Sequence, residues 1–111
     1  MKREDKLKQN WEFRRLYSKG KCLVSPAFIL YFGKGKAGRV RLGITAGKKF
    51  GTAVARNRAK RLITAAFDSV APRIKGGFDF VFVARGRILS MKSPQVAVLI
   101  SDLLSENGFI L

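Results

Sequence analysis

The positions of apolar and polar residues along the chain predict a sequence of short elements. Asn10 is the candidate N-cap of a helix over Trp11–Lys19, and Gly20 offers a left-handed stop after it. Cys22-Leu23-Val24 is a candidate short strand. Phe28-Ile29-Leu30-Tyr31-Phe32 reads as a strand that Tyr31 nearly ends, and Pro26 blocks helix before it. Gly33 to Gly38 then reads as a hairpin-type loop. Val40, Leu42 and Ile44 alternate with Arg39, Arg41 and Gly43, the period of a half-buried strand.

The clearest helix covers Ala53–Val70. Its apolar residues Ala55, Ala59, Leu62, Ile63, Ala66, Phe67 and Val70 fall on one arc at about 100° per residue. Phe78-Asp79-Phe80-Val81-Phe82-Val83-Ala84 is apolar on both faces and reads as a central strand. Ser93 and Pro94 make an N-cap and first-turn pair. Val96, Leu99, Ile100, Leu103 and Leu104 follow at helical spacing, and Gly108 closes that helix. The order, α-β-β-β-α-β-α, is that of a small α/β or α+β sandwich.

Charge changes the picture more than length does. The 111 residues carry 23 Lys+Arg and 7 Asp+Glu, a net of +16. Residues 1–61 hold 18 of the cations and 3 acids, a net of +15, while residues 62–111 hold 5 and 4. No linker or repeat separates the halves, so residues 1–111 read as a single domain with a charged front and a neutral scaffold. An excess this large opposes compaction and calls for a polyanionic partner.

Composition removes several chemistries. There is no His, which excludes Ser-His-Asp and Cys-His catalysis and His-ligated metal. Cys22 is the one Cys, read as a small buried apolar residue. The acids are scattered, and the adjacent pair Glu4–Asp5 falls in an expected frayed N-terminus. The first residues lack the apolar stretch of a signal peptide, and no run approaches the roughly 18–20 apolar residues of a membrane span. A cytoplasmic setting is the expectation.

Two groups of residues carry candidate chemistry. On the Ala53–Val70 helix, Arg56, Asn57, Lys60, Arg61 and Thr64 lie beside the apolar arc, with Arg58 across from them. Guanidinium forks grip phosphate oxygens, and an Asn donates and accepts toward bases or 2′-hydroxyls. A merely solvated face does not explain why no acid occurs between Arg39 and Asp68. Gly47-Lys48-Lys49-Phe50-Gly51-Thr52 leads into the helix N-terminus, where backbone N–H groups add to the charge. Its spacing is not that of a nucleotide-triphosphate loop. The second group is aromatic. Phe13 and Tyr17 flank Arg14 and Arg15, and Tyr31 joins them as a stacking candidate. Phe13 suits core or cleft equally, Trp11 stands open, and Phe78, Phe80 and Phe82 belong to the core.

Taken together these residues resemble the bacterial ribonuclease P protein subunit. The run from Gly47 to Ile63 is similar to that family's Lys-Lys-x-Gly-x-Ala-Val-x-Arg-Asn-Arg-x-Lys-Arg signature. Phe13 with Tyr17 before Gly20, Phe28-Ile29-Leu30-Tyr31, and Asp79 to Arg85 support it. The resemblance implies three helices on a four-stranded sheet with a left-handed βαβ crossover, as in the second domain of a small-subunit ribosomal protein. It implies that the single domain over residues 1–111 is RNA-binding, within an endoribonuclease holoenzyme that removes the 5′ leader of precursor tRNA. The catalytic RNA would use Mg²⁺, and the protein would supply neither catalytic residues nor a metal site. The RNase P RNA and precursor tRNA would be its partners, with no membrane and no obligate protein partner. By position, Arg56, Asn57, Arg58, Lys60 and Arg61 would face the catalytic RNA. Phe13, Tyr17 and Tyr31 would line the leader cleft, with Lys48, Lys49 and Arg85 on phosphates.

The chain departs from the family pattern at Gly47, where Ser is frequent, and at Thr64, where another Arg is frequent. It also has Glu106 to Leu111 where a basic tail is frequent. The rival readings are a structural RNA-binding protein of ribosomal type, a major-groove DNA binder and, more distantly, a membrane-surface protein.

Overall fold

The structure is a computed structural model, and it describes residues 5–110. The elements are α1 (Asn10–Lys19), β1 (Lys21–Val24), β2 (Phe28–Lys34), β3 (Val40–Thr45), α2 (Ala53–Val70), β4 (Phe78–Ala84) and α3 (Ser93–Glu106). This is the expected α-β-β-β-α-β-α order. The four strands form one mixed sheet in the order β1-β2-β4-β3. β4 is central, as its two-sided apolar pattern predicts. It pairs antiparallel with β2 and parallel with β3.

This strand order corrects one expectation. Gly33 to Gly38 is not a hairpin loop, because β4 lies between β2 and β3. Gly33 and Lys34 extend β2, and Tyr31 sits in its middle. The connection passes over the end of β4, where the Gly35 N–H donates to the Gly77 carbonyl at 2.9 Å.

Strand alternation gives the sheet two unlike faces. Phe28, Leu30, Leu42, Phe80 and Phe82 point to one side. There they meet Ala59, Ile63, Ala66, Phe67 and Val70 of α2, and Val96, Ile100 and Leu104 of α3. Burial of each large side chain here contributes about 1.5–3 kcal/mol. The opposite face is only partly covered. α1 crosses it, and Leu16 packs with Leu7 and Val81 in a small second cluster. Phe13, Tyr31 and Val83 flank that cluster.

Helix ends differ from the sequence reading by one residue. α1 begins at Asn10 and its cap is Gln9. The Glu12 carboxylate accepts from the backbone N–H groups of Gln9, at 3.1 Å, and Lys8, at 3.3 Å. An acid one turn inside satisfies those orphan donors and draws the start forward. Likewise Lys92, not Ser93, caps α3, because the Gln95 side-chain oxygen accepts from the Lys92 N–H at 2.8 Å.

Gly20 is not left-handed: its φ is −78° and its ψ 171°. It is needed for a close approach instead. A Cβ there would lie 2.6 Å from the Leu16 carbonyl oxygen and 2.7 Å from that of Phe32. Gly108 does hold the expected positive φ after α3, at 80°.

Asp5 is not frayed, since its carboxylate pairs with Arg39. The next residues add a parallel bridge beside β3, with the Leu7 N–H on the Leu42 carbonyl at 2.8 Å. Glu4 and the start of the expected leaderless segment lie outside the described residues. No helix among those described is long and apolar enough to cross a membrane.

Candidate nucleic-acid interface

The α2 helix presents its cations because its other side is anchored. Thr52 caps it, the side-chain oxygen accepting from the Ala55 N–H at 3.1 Å. With the buried stripe fixed against the sheet, Asn57, Arg58, Lys60 and Arg61 are exposed and Arg56 is half-buried. None of these four cations has a carboxylate partner among the described residues. Unopposed cations one turn apart repel, so this face is costly when alone and receptive to phosphate. The Thr64 hydroxyl donates back to the Lys60 carbonyl at 2.8 Å, within the helix.

The uncovered part of the other sheet face forms a cleft with two hollows. The first, about 440 Å³, is lined by Asn10, Phe13, Arg14, Tyr17 and Thr45. The second, about 580 Å³, is lined by Ile29, Lys48, Lys49, Phe50, Val83 and Arg85 among others. Tyr31 lies between them on β2, and its ring meets Tyr17 edge-on at 4.9 Å. Lys48 and Lys49 occupy a 3-10 turn between β3 and α2, while Arg85 follows β4 directly. The parallel pairing of β3 with β4 brings these cations together. One Arg85 N–H also donates to the Ser25 carbonyl at 3.3 Å.

Phe13 proves to be both core and cleft. It packs on the Leu7–Leu16–Val81 cluster and lines the first hollow. Its ring rests on Gly43, where an added Cβ would meet Phe13 Cε1 at 2.6 Å. Trp11 is 58% exposed. Phe80 and Phe82 are buried, and Phe78 packs against the same core half-buried.

Cys22 corrects the sequence reading: it is exposed, not buried. It pairs with Tyr31 across β1 and β2, so the two share the open face. A short edge strand places its outward residue where no helix covers it.

Sequence reasoning missed an ion network beneath α1. Asp79 is fully buried on β4. Arg41 of β3 grips it through Nε and Nη2, both at 2.8 Å, and Arg15 of α1 reaches it at 2.6 Å. Glu12 of α1 also pairs with Arg41 at 3.1 Å. The hydrogen bond to Asp79 pushes the Arg41 pKa further up, against its partial burial. A second Arg15 N–H donates to the Lys34 carbonyl at 3.0 Å. These contacts clamp one wall of the cleft to its floor. They also divide the expected pair of α1 cations. Arg14 faces the hollow, and Arg15 is a brace. The signal was an acid inside an apolar strand, which demands buried partners.

Among the described residues no three His, Cys, Asp or Glu side chains gather into a group that could hold a metal ion. The arrangement offers phosphate grips, stacking rings and hydrogen-bond donors.

Comparison with known proteins places the chain in a family. The Ribonuclease P family profile matches residues 1–107. A ribonuclease P protein component from a Thermoanaerobacter species is 39% identical over 84 residues, covering 76% of this chain and 72% of the relative. That of Oceanobacillus iheyensis is 33% identical over 111 residues, covering 99% and 92%. Among solved structures, a Staphylococcus aureus RNase P protein mutant with defective mRNA degradation activity superposes with a TM-score of 0.84. It is 30% identical, and the match covers 96% of this chain and 91% of that one. The Thermotoga maritima RNase P protein gives 0.81 at 28% identity, covering 91% and 96%. The chain therefore belongs to the family of bacterial ribonuclease P protein components, the protein subunit of that enzyme.

Proposed function

We propose that the two surfaces of this subunit serve two different RNAs. The α2 face, through Arg56, Asn57, Arg58, Lys60 and Arg61, docks on the catalytic RNA. The open sheet face holds the single-stranded 5′ leader of precursor tRNA. Phe13, Tyr17 and Tyr31 supply stacking surfaces there, and Lys48, Lys49 and Arg85 take successive phosphates. The observation that carries this reading is the separation of the cations. One set stands unpaired on the outer helix, and another rims an aromatic cleft on the far side of the sheet.

The division of labour follows from chemistry. Without His, the protein has no side chain that ordinarily titrates near neutral pH. Of the buried acids among the described residues, Asp79 is committed to Arg15 and Arg41, and Glu12 to Arg41. We assign phosphodiester hydrolysis to the RNA subunit, with Mg²⁺ held by RNA phosphates. The protein reduces repulsion between substrate and catalytic RNA, and so lowers the Mg²⁺ the reaction requires.

The test is reconstitution at low Mg²⁺ with a bacterial RNase P RNA and a precursor tRNA. Leader removal should be fast with protein and slow without it. Protein alone should cut nothing. Cleavage by protein alone, or absence of stimulation at every Mg²⁺ concentration, would overturn the assignment.

A further inference from the structure

One basic region lies outside both surfaces. Lys21 opens β1 and stands directly opposite Phe32. Lys34 ends β2 and stands opposite Phe78. Opposed residues share a sheet face, so Lys21 and Lys34 are diagonal neighbours with Cα atoms about 7–8 Å apart. Lys19 ends α1 and is separated from Lys21 only by Gly20, whose backbone lies against the Phe32 carbonyl. Lys36 follows Gly35, which hydrogen-bonds to Gly77. Lys75, two residues before Gly77, donates its backbone N–H to the Phe109 carbonyl at 2.8 Å.

The fold thus gathers Lys19, Lys21, Lys34, Lys36 and Lys75 at one end of the sheet. All are exposed, and none has a carboxylate partner among the described residues. The acids near this end are spent or peripheral. Asp79 is held by Arg15 and Arg41, Asp5 by Arg39, and Glu106 lies just before Asn107 on the exposed end of α3. The cleft cations Lys49 and Arg85 lie at the opposite end of β4, about 20 Å away along the strand, whereas Lys19 stands only two residues beyond Tyr17 of the first hollow.

A hollow of about 420 Å³ opens among these lysines. It is lined by Lys21, Phe32, Lys75, Phe78, Asn107, Gly108 and Phe109. Its aromatic floor is preformed, since Phe109 packs edge-on against Phe32 at 4.8 Å and Phe78 at 4.9 Å. An apolar floor between two ammonium groups, with an amide at its rim, matches one unstacked nucleotide. The base would sit on the rings and its flanking phosphates beside Lys21 and Lys75.

We propose that this lysine-rimmed end of the sheet is a further RNA-backbone contact, with the Phe32–Phe78–Phe109 hollow receiving one unpaired base. The cations are all Lys, which neutralise phosphate as point charges without the bidentate geometry of Arg. The surface therefore adds affinity and salt dependence without reading sequence. On the leader reading of the cleft, on which this rests, the RNA is the part of the precursor's leader beyond that cleft, because the patch continues from it: Lys19 follows Tyr17 by two residues and Lys21 adjoins Cys22, which pairs with Tyr31.

The test uses the full chain with Lys21, Lys34, Lys36 and Lys75 changed together to Gln. Its affinity for RNase P RNA, and separately the holoenzyme's affinity for precursor tRNA, are measured between 50 and 200 mM monovalent salt. In the precursor arm the slope of log affinity against log salt should become shallower by about 3, for four lysines at roughly 0.7–0.9 per lost phosphate contact. Across that salt range this is a difference of about 64-fold. A change confined to the catalytic-RNA arm, or unchanged slopes in both, overturns the proposal. Asn107→Trp fills the hollow without changing charge, and Asn107→Ala controls for the Asn107 bond to Leu103. Trp, but not Ala, should weaken binding of a single-stranded oligoribonucleotide while sparing a blunt hairpin. Equal binding by all three proteins removes the base pocket. These are binding readouts, so they stand or fall apart from leader removal.

Discussion

Replacing Asp79 by Asn keeps the shape of the side chain and removes its charge. Three charge-assisted hydrogen bonds then lose their anion, two from Arg41 at 2.8 Å and one from Arg15 at 2.6 Å. One carboxylate oxygen also becomes an NH₂ pointed at a guanidinium. Arg15 is one-third exposed, so its share is about 1 kcal/mol or less. Arg41 is 14% exposed and would keep only Glu12 as a full partner. Breaking a largely buried pair costs about 3–5 kcal/mol, and the surviving Glu12 contact places this case near 3. At about 4 °C per kcal/mol for a chain of this size, the Tm should fall by about 12 °C. Thermal unfolding followed by circular dichroism measures it. The wild-type protein should not lose a comparable amount at high salt, because screening acts weakly on buried charge. A second variant, Asp79→Leu with Arg41→Met, should recover part of the loss, since it replaces the buried pair by apolar groups but leaves Glu12 and Arg15 without those partners. A fall below about 4 °C for Asp79→Asn would refute the claim that this network clamps α1 to the sheet.

Three further outcomes follow from the geometry. Gly43→Ala should displace the Phe13 ring and cost about 1–3 kcal/mol by denaturant titration, with weaker leader binding; an unchanged midpoint and unchanged binding would mean the ring is not seated there. Arg58→Ala should leave the Tm within about 1–2 °C, because the side chain is exposed, yet weaken assembly with the catalytic RNA in a filter-binding assay. Cys22 should react with a thiol reagent in the native protein nearly as fast as in denaturant; strong protection by folding would restore the buried reading.

The elements were legible because each has one period. The α2 stripe from Ala55 to Val70 fits a helix and nothing else, and its bounds agree with the sequence reading. The two-sided apolar run of β4 likewise announced a central strand. Neighbours are a different matter. Period-2 alternation says which face a residue takes but not which strand lies beside it. A glycine-rich link between β2 and β3 therefore read as a hairpin, though β4 stands between them. The Asp79 network was hidden for the same reason. Its partners Arg15 and Arg41 are 64 and 38 residues away in sequence. Helix caps were misplaced by one position because Gln95 and Glu12 act from inside the helix on backbone donors before it. Of the candidate site, the α2 cations were readable from spacing alone. Bringing Lys48, Lys49 and Arg85 into one hollow required the parallel pairing of β3 with β4.

The central claim is that one face of the sheet holds the leader while the α2 face holds the catalytic RNA. The most direct test compares holoenzyme affinity for precursor tRNA with that for the same tRNA lacking its leader, in wild-type protein and in Lys48→Gln with Lys49→Gln. The protein should tighten binding only when the leader is present, with a salt slope of about 0.7 per phosphate held. The paired substitution should flatten that slope and leave assembly with the catalytic RNA intact. Equal tightening of the leaderless tRNA, or loss of assembly in the paired variant, would contradict the account.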